Sequence, residues 1–305
     1  MKPIICFLFT FLLSLFLMPR ARRAGLLLGA LDTPDGGRHR HKGPTVRFGG
    51  AGIFAAFLLS LWLFYRPLDA VGAALLSGGG IIFFCGVLDD VRGLSPKTKL
   101  IFQAAAAITA LAVLSVPREI SFLSLSLPLP TLAGYGYGIY RFMLYMNGVN
   151  FTDGIDGLCA AGSLVALFGF GTVLAFHGES GALAAFLLLF SLLGFLPYNL
   201  PPAGLFMGDS GAQLLGFSLA VLAMTPIGGR IRTECALFLA LPALDTFVSV
   251  TRRLLQGKSP FRADRGHLHH MLIEAGLSPK GALKILVFFS MAMTALGMIL
   301  LLPLG

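Results

Sequence analysis

Charge is what this sequence has least of. Only 12% of its 305 residues are Asp, Glu, Lys or Arg, while 56% are hydrophobic. A soluble globular domain carries about twice that charged share, so the apolar surplus needs lipid as its solvent. Acidic residues are the scarcer sign, 14 against 23 basic, for a net charge of +9. Cysteine is also rare. Cys6, Cys85, Cys159 and Cys235 lie in or beside apolar stretches and form no C-x-x-C pair, so they read as small buried hydrophobes, not as a disulfide framework or a metal site. The first apolar run, Ile4–Met18, lacks a small-x-small cleavage pattern. It is followed by Pro19-Arg20-Ala21-Arg22-Arg23, which favours a retained first span over a signal peptide.

Long apolar segments are abundant. A bilayer core of about 30 Å takes roughly 17–25 apolar residues per helix. Segments 4–18, 48–65, 70–88, 100–116, 132–149, 158–176, 181–197, 210–227, 233–251 and 282–303 qualify or nearly so. The expected fold is all-α: a polytopic bundle of about ten transmembrane helices, forming a single integral membrane domain over 1–305. Connections 19–47, 89–99, 150–157, 198–209 and 252–281 hold sixteen Lys and Arg; the opposite set, with both termini, holds five. The positive-inside rule therefore makes the first set cytoplasmic and puts the N-terminus outside. Because the basic residues are spread over short loops and form no single basic face, they suit lipid headgroups and a phosphate substrate, with no nucleic-acid partner. The 252–281 connection is expected to hold a short helix after Pro279.

The polar residues gather in the connections assigned to the cytoplasm. Asp89 and Asp90 are adjacent carboxylates at a span boundary, whose repulsion a cation or water must relieve. Lys97 and Lys99 follow and suit phosphate oxygens; the plain alternative is a solvated turn. Asn147, Asn150, Asp153 and Asp156 recur every three residues, which on an unbroken helix fans them over half the circumference. They contact one ion together only if the helix breaks, and Gly154 and Gly157 permit a break. The bland alternative is a capped helix start. Asp209, in Gly208-Asp209-Ser210-Gly211, sits where an N-cap would, and a helix N-terminus also favours a phosphate–metal unit nearby. Asp245 is an intramembrane carboxylate three residues after Pro242. It is either functional or, with Thr246, satisfies backbone groups freed by a kink. His267, His269 and His270 stand beside Arg262 and Arg265. Phosphate binding suits this cluster better than zinc or a headgroup-facing loop, because no thiolate is near.

In this order the motifs resemble the bacterial polyprenyl-phosphate N-acetylhexosamine-1-phosphate transferases of glycosyltransferase family 4. The resemblance runs from about residue 30 to 275. It rests on Asp32-x-Pro34, His41-x-x-Pro44-x-x-Arg47-x-Gly49-Gly50, Asp89-Asp90, the Asn150–Gly157 segment, Gly208-Asp209-Ser210-Gly211 and His267-x-His269-His270. The last element, preceded by Asp264-Arg265, is similar to the branch that uses N-acetylglucosamine-1-phosphate. Arg38-His39-Arg40-His41 departs from the more usual Arg-Lys-x-His, and Arg141 stands within the fifth span. The resemblance implies transfer of a sugar-1-phosphate from a UDP-sugar to undecaprenyl phosphate, releasing UMP, as the first membrane step of cell-wall, O-antigen or related surface-polysaccharide synthesis. It implies Mg2+, with Mn2+ as a substitute, at a site facing the cytoplasm of the bacterial inner membrane. Asp209 would be the leading metal ligand, with Asp90 and Asp156 as further candidates. Asp89, Asp90 and His269 would act at the reacting phosphates, and Lys97 or Lys99 would hold them. Asn150, Asp153 and Asp156 would contact the nucleotide and Phe206 would stack on uracil. His267, His270 and Arg265 would hold pyrophosphate and sugar. The expected partners are the UDP-sugar, the polyprenyl phosphate and membrane lipid, with a homodimer as the candidate assembly. The rival readings are a phospho-MurNAc-pentapeptide transferase, a membrane transporter and a non-catalytic membrane scaffold.

Overall fold

The computed structural model describes residues 2–32, 44–259 and 266–302. Helices dominate: α1 (Lys2–Leu28), α2 (Gly49–Phe64), α3 (Ala70–Arg92), α4 (Pro96–Leu114), α5 (Thr131–Thr152), α6 (Leu158–Phe176), α7 (Gly181–Asn199), α8 (Gly208–Ala223), α9 (Ala240–Leu255), α10 (Leu268–Glu274) and α11 (Pro279–Leu301). A 3-10 turn over Thr233–Leu239 leads into α9. Sequence chemistry sets several starts. Asp69 and Ser95 accept the N–H groups of Gly72 and Thr98, and Ser278 accepts that of Gly281; Pro96 and Pro279 fill first-turn positions that need no donor.

Seven of these helical segments are long and apolar enough to cross a membrane: Pro3–Leu28, Ala70–Arg92, Pro96–Leu114, Leu158–Phe176, Gly181–Asn199, Thr233–Leu255 and Pro279–Leu301. Gly49–Phe64 is apolar but shorter. The other two expected segments are also helical, but α8 has 16 residues and α5 carries Arg141 and Asn147. The first helix continues through Pro19 and the arginines to Leu28, well beyond the expected end at 18. Arg20 holds to it by donating to the Phe16 carbonyl at 2.7 Å and stacking on the Phe16 ring. The helix after Pro279 is the last apolar helix itself; the short helix of that connection is α10, which begins at the histidines.

The core centres on α8. Every residue of α8 except Asp209 is buried, and it packs chiefly on α3 and α5, with α2 beside them. Phe142, Phe217, Leu214 and Ile82 are fully enclosed there. The approach of α3 is close because position 86 is glycine: a Cβ there would overlap the backbone of Ser210. Short strands decorate both ends. β1 (Leu31–Asp32) pairs with β2 (Thr45–Val46), while the hairpin β3 (Glu119–Phe122)–β4 (Leu125–Pro128) takes β5 (Ile231–Arg232) in parallel on β3. Since successive helices reverse direction, the C-terminal ends of α3 and α5 and the N-terminal ends of α4, α6 and α8 share one end of the bundle, where the motif residues lie.

Candidate active site

Two adjacent carboxylates on a helix point about 100° apart, and Asp89 and Asp90 accordingly take different partners. Asp89 Oδ1 accepts the Leu94 N–H at 2.7 Å, and its Oδ2 lies 2.6 Å from Lys99 Nζ. Asp90 faces the start of α8, where its oxygens accept the N–H groups of Asp209 at 2.8 Å and Ser210 at 3.1 Å. The exposed donors of the α8 N-terminus are thus satisfied by a carboxylate from α3. This corrects the expectation that Asp209 caps α8. Asp209 is the second residue of the helix, and the cap position, Met207, makes no side-chain cap bond.

Freed from capping, Asp209 turns to the same lysine as Asp89: its Oδ2 is 2.5 Å from Lys99 Nζ and 3.1 Å from Gln213 Nε2. Arg47 adds a second cation, with Nε 3.6 Å from Asp90 and an Nη donating to the Asp89 carbonyl at 3.1 Å. Arg47 is fixed by the chain around it. Its N–H bonds Ala30, Phe206 bonds Val46, and the N–H groups of Gly49 and Gly50 bond the carbonyls of Phe206 and Met207. The loop before α8 is therefore stitched to the start of α2, and Phe206 sits in that seam, half-buried.

The helix of the third motif does break. α5 ends at Thr152, and α6 begins only at Leu158. Within the break, Asp156 Oδ2 accepts the Ala203 N–H at 3.0 Å and so tethers the loop that carries Phe206. Asp153 is half-buried. Burial first, then the nearby carboxylates of Asp209, Asp90, Asp156 and Asp32, push its pKa well above the usual range. Among the described residues its carboxylate has no ion-pair partner. Asn150 is half-buried beside it. Lys97 is exposed, two residues and so 200° around α4 from Lys99; the structure brings Lys99, and not Lys97, to the carboxylates.

A second cluster lies against the same break. Asp245, 2% exposed, accepts from His267 Nδ1 at 2.9 Å and from the Leu268 N–H at 2.6 Å, which pins the start of α10 to α9. Ser249 Oγ lies 3.2 Å from the same ring nitrogen. Thr246, not Asp245, answers the Pro242 carbonyl, at 2.8 Å. The His267 ring meets Phe151 at 4.6 Å and stacks parallel to His269 at 5.9 Å, with His270 4.2 Å beyond. His269 lies over Gly154, where any side chain would collide with its ring. Among the described residues its Nε2 is buried without a hydrogen-bond partner, and burial lowers its pKa to about 4, so the ring is neutral at pH 7. Arg265 lies outside the described residues.

The donor set suits a hard divalent cation. Asp89 and Asp209, from different helices, aim oxygens at one point, and no thiolate enters the cluster. Among the described residues no three His, Cys, Asp or Glu side chains form a metal cage. Two converging carboxylates are what Mg2+ takes from a protein, its shell being completed by phosphate and water. Three participants carried no assignment from the sequence: Arg47, Gln213 and Ser249. Gln213 was visible as an amide inside an apolar span, a costly placement that signals a bound partner.

Comparison with known proteins gives the family. A profile described as glycosyl transferase family 4 matches residues 73–227, which hold α3 through α8 and the whole lysine–carboxylate cluster. The undecaprenyl-phosphate alpha-N-acetylglucosaminyl 1-phosphate transferase of Escherichia coli K12 is 30% identical over 310 residues, covering 96% of this chain and 81% of the relative. The enzyme of the same name from Yersinia pestis is 28% identical over 303 residues, covering 96% and 82%, and that from Salmonella typhi is 30% identical over 308 residues, covering 94% and 82%. The chain belongs to glycosyl transferase family 4.

Proposed function

We propose that this chain transfers N-acetylglucosamine-1-phosphate, or a related N-acetylhexosamine-1-phosphate, from a UDP-sugar to undecaprenyl phosphate, releasing UMP. The observation that carries the reading is the convergence of Asp89 and Asp209 on Lys99, with Asp90 and Arg47 beside them, at one end of an apolar bundle. The names of the relatives supply the substrate class. A lipid tail can remain between the helices while its phosphate reaches this end from the bilayer, and the nucleotide arrives from water.

Phosphoryl transfer needs alignment and charge neutralisation more than covalent help. An oxygen of the lipid phosphate attacks the β-phosphorus, the new P–O bond forms, the bond to the α-phosphate oxygen breaks, and UMP leaves. The second pKa of a phosphate monoester lies near 6, so the nucleophile is largely dianionic at neutral pH and needs no strong base. Mg2+, when bound, shields the diphosphate charge and polarises its oxygens. Asp209 and Asp89 are the proposed protein ligands; Asp90 positions Asp209 through the α8 backbone, and Asp156 positions the Phe206 loop for uracil. Lys99 and Arg47 meet phosphate oxygens. Asp245 holds His267 by Nδ1, which turns Nε2 to the diphosphate and sugar, and neutral His269 offers one further hydrogen bond.

With α2, α5 and α8 counted beside the seven longer segments, ten helices cross the membrane. The positive-inside bias then puts this end in the cytoplasm, and both termini outside, at the bacterial inner membrane. The test is purified protein with Mg2+, undecaprenyl phosphate and a panel of UDP-N-acetylhexosamines, including UDP-MurNAc-pentapeptide, read by UMP release and labelled lipid. Product from UDP-N-acetylglucosamine is expected. Label found inside vesicles but not in lipid would instead indicate transport.

A further inference from the structure

Three amide side chains from three different helices form a hydrogen-bonded line ending on Asp209. Asn147 on α5 donates from Nδ2 to the Met143 carbonyl at 2.7 Å and to Gln103 Oε1 at 2.9 Å. Gln103 on α4 donates from Nε2 to Asn147 Oδ1 and to Gln213 Oε1, both at 3.2 Å. Gln213 on α8 donates from Nε2 to Asp209 Oδ2 at 3.1 Å. Gln103 and Gln213 are each 1% exposed.

The direction of this line is fixed at its far end. A backbone carbonyl can only accept, so Asn147 must turn its NH2 toward Met143, and it then offers an N–H to Gln103 Oε1 and its oxygen to Gln103 Nε2. Gln103 then offers N–H to Gln213, and Gln213 offers N–H to Asp209. Reversing any one amide would set oxygen against oxygen or N–H against N–H in a dry interior, where each unmet group is costly. The Met143 carbonyl on α5 and the Asp209 carboxylate on α8, both acceptors, thus impose the same polarity on the three amides between them. The Gln213 donor reaches the same Asp209 oxygen as Lys99, one turn along α8 from Asp209 itself.

We propose that Gln213 is a positioning residue, held in polarity by Gln103 and Asn147, that fixes the Asp209 carboxylate for the divalent cation and the substrate phosphates. This rests on the function proposed above for what Asp209 does, but not for how it is held. In the holoenzyme, Gln213→Met keeps the volume and removes the donor. The expected result is a fall in kcat of about tenfold with KM for the UDP-sugar within about twofold, and a thermal midpoint close to wild type. Gln103→Leu should cost about threefold. The double variant should be no worse than Gln213→Met, because Gln103 acts only through Gln213. Mn2+ binding to the purified protein, read by electron paramagnetic resonance without substrate, should weaken about threefold in Gln213→Met. If Gln213→Met does not fold, Gln213→Asn serves, since its shorter amide does not reach Asp209.

Equal Mn2+ affinity in wild type and variant overturns the proposal, as do additive losses from Gln103 and Gln213 that track falling thermal midpoints. If the wild type makes no lipid-linked sugar from any donor while Mn2+ binding still depends on Gln213, the functional reading falls and the positioning role stands.

Discussion

The two ends of the bundle treat their carboxylates differently. At the end carrying β3, β4 and β5, three acids find partners nearby. Glu234 takes Arg232 at 2.7 Å and the Leu123 N–H at 2.7 Å, Glu119 lies 3.7 Å from Arg230, and Asp69 accepts from Tyr65, Gly72 and Ser180. At the other end Asp89 and Asp209 share one lysine, and half-buried Asp153 stands near other acids and, among the described residues, has no ion-pair partner. The strand end gives these acids partners of their own. The motif end makes two acids share one lysine, and it suits a divalent cation with an anionic substrate. Surplus buried charge of this kind costs stability, and it is retained where chemistry uses it.

The largest effect should separate the ends outright. Asp209→Ala is expected to lose at least about a hundredfold in turnover while the protein still folds, whereas Glu234→Gln should lower the unfolding midpoint and keep turnover within about twofold. Turnover assays and thermal melts on both variants make the comparison, and near-normal turnover in Asp209→Ala would remove Asp209 from the metal site. Next, Lys99→Met should cost about a hundredfold and Lys97→Met less than about threefold, measured as UMP release. Equal losses would mean that exposure and helix phase do not discriminate between the two lysines.

A third prediction concerns stability. The raised folded-state pKa of Asp153 means its favourable contribution is present below the unfolded value of about 4 and is lost as pH rises. Asp153→Asn should therefore raise the melting midpoint of the ligand-free protein at pH 8 by a few degrees, and narrow that gain at pH 5, while product formation falls about tenfold. The smallest effect belongs to His269, whose folded-state pKa of about 4 lies below its ordinary 6.5. As pH falls through that window the unfolded chain takes up the proton first, so stability is complete above about 6.5 and declines toward about 4. His269→Gln should flatten the melting midpoint between pH 7 and 4.5; an unchanged slope would assign the decline to other groups.

Much of this was legible because it depends on short-range chemistry. The apolar segments, the reversal of chain direction and the position of the motifs in connections at one end follow from hydrophobic length and from the distribution of Lys and Arg. Asp89-Asp90, Asp209 and the histidines stood out because polar groups at span boundaries are expensive. Partner choice was not legible. Asp209 looked like a helix cap by its local sequence, and only the crossing of α3 over α8 at Gly86 gives that cap to Asp90. Asp245 carried two open readings, and the packing of α10 on α9 chose His267 for it.

The sequence by itself determined a lipid-embedded helical chain with acids, amides and bases at one set of helix ends, because hydropathy and charge act through solvent and need no knowledge of neighbours. The tertiary structure decided which acid faces a cation, which caps a helix and which holds a histidine. Those outcomes depend on the angle of a side chain around its helix and on how near another backbone can come, and both are fixed only when the helices pack.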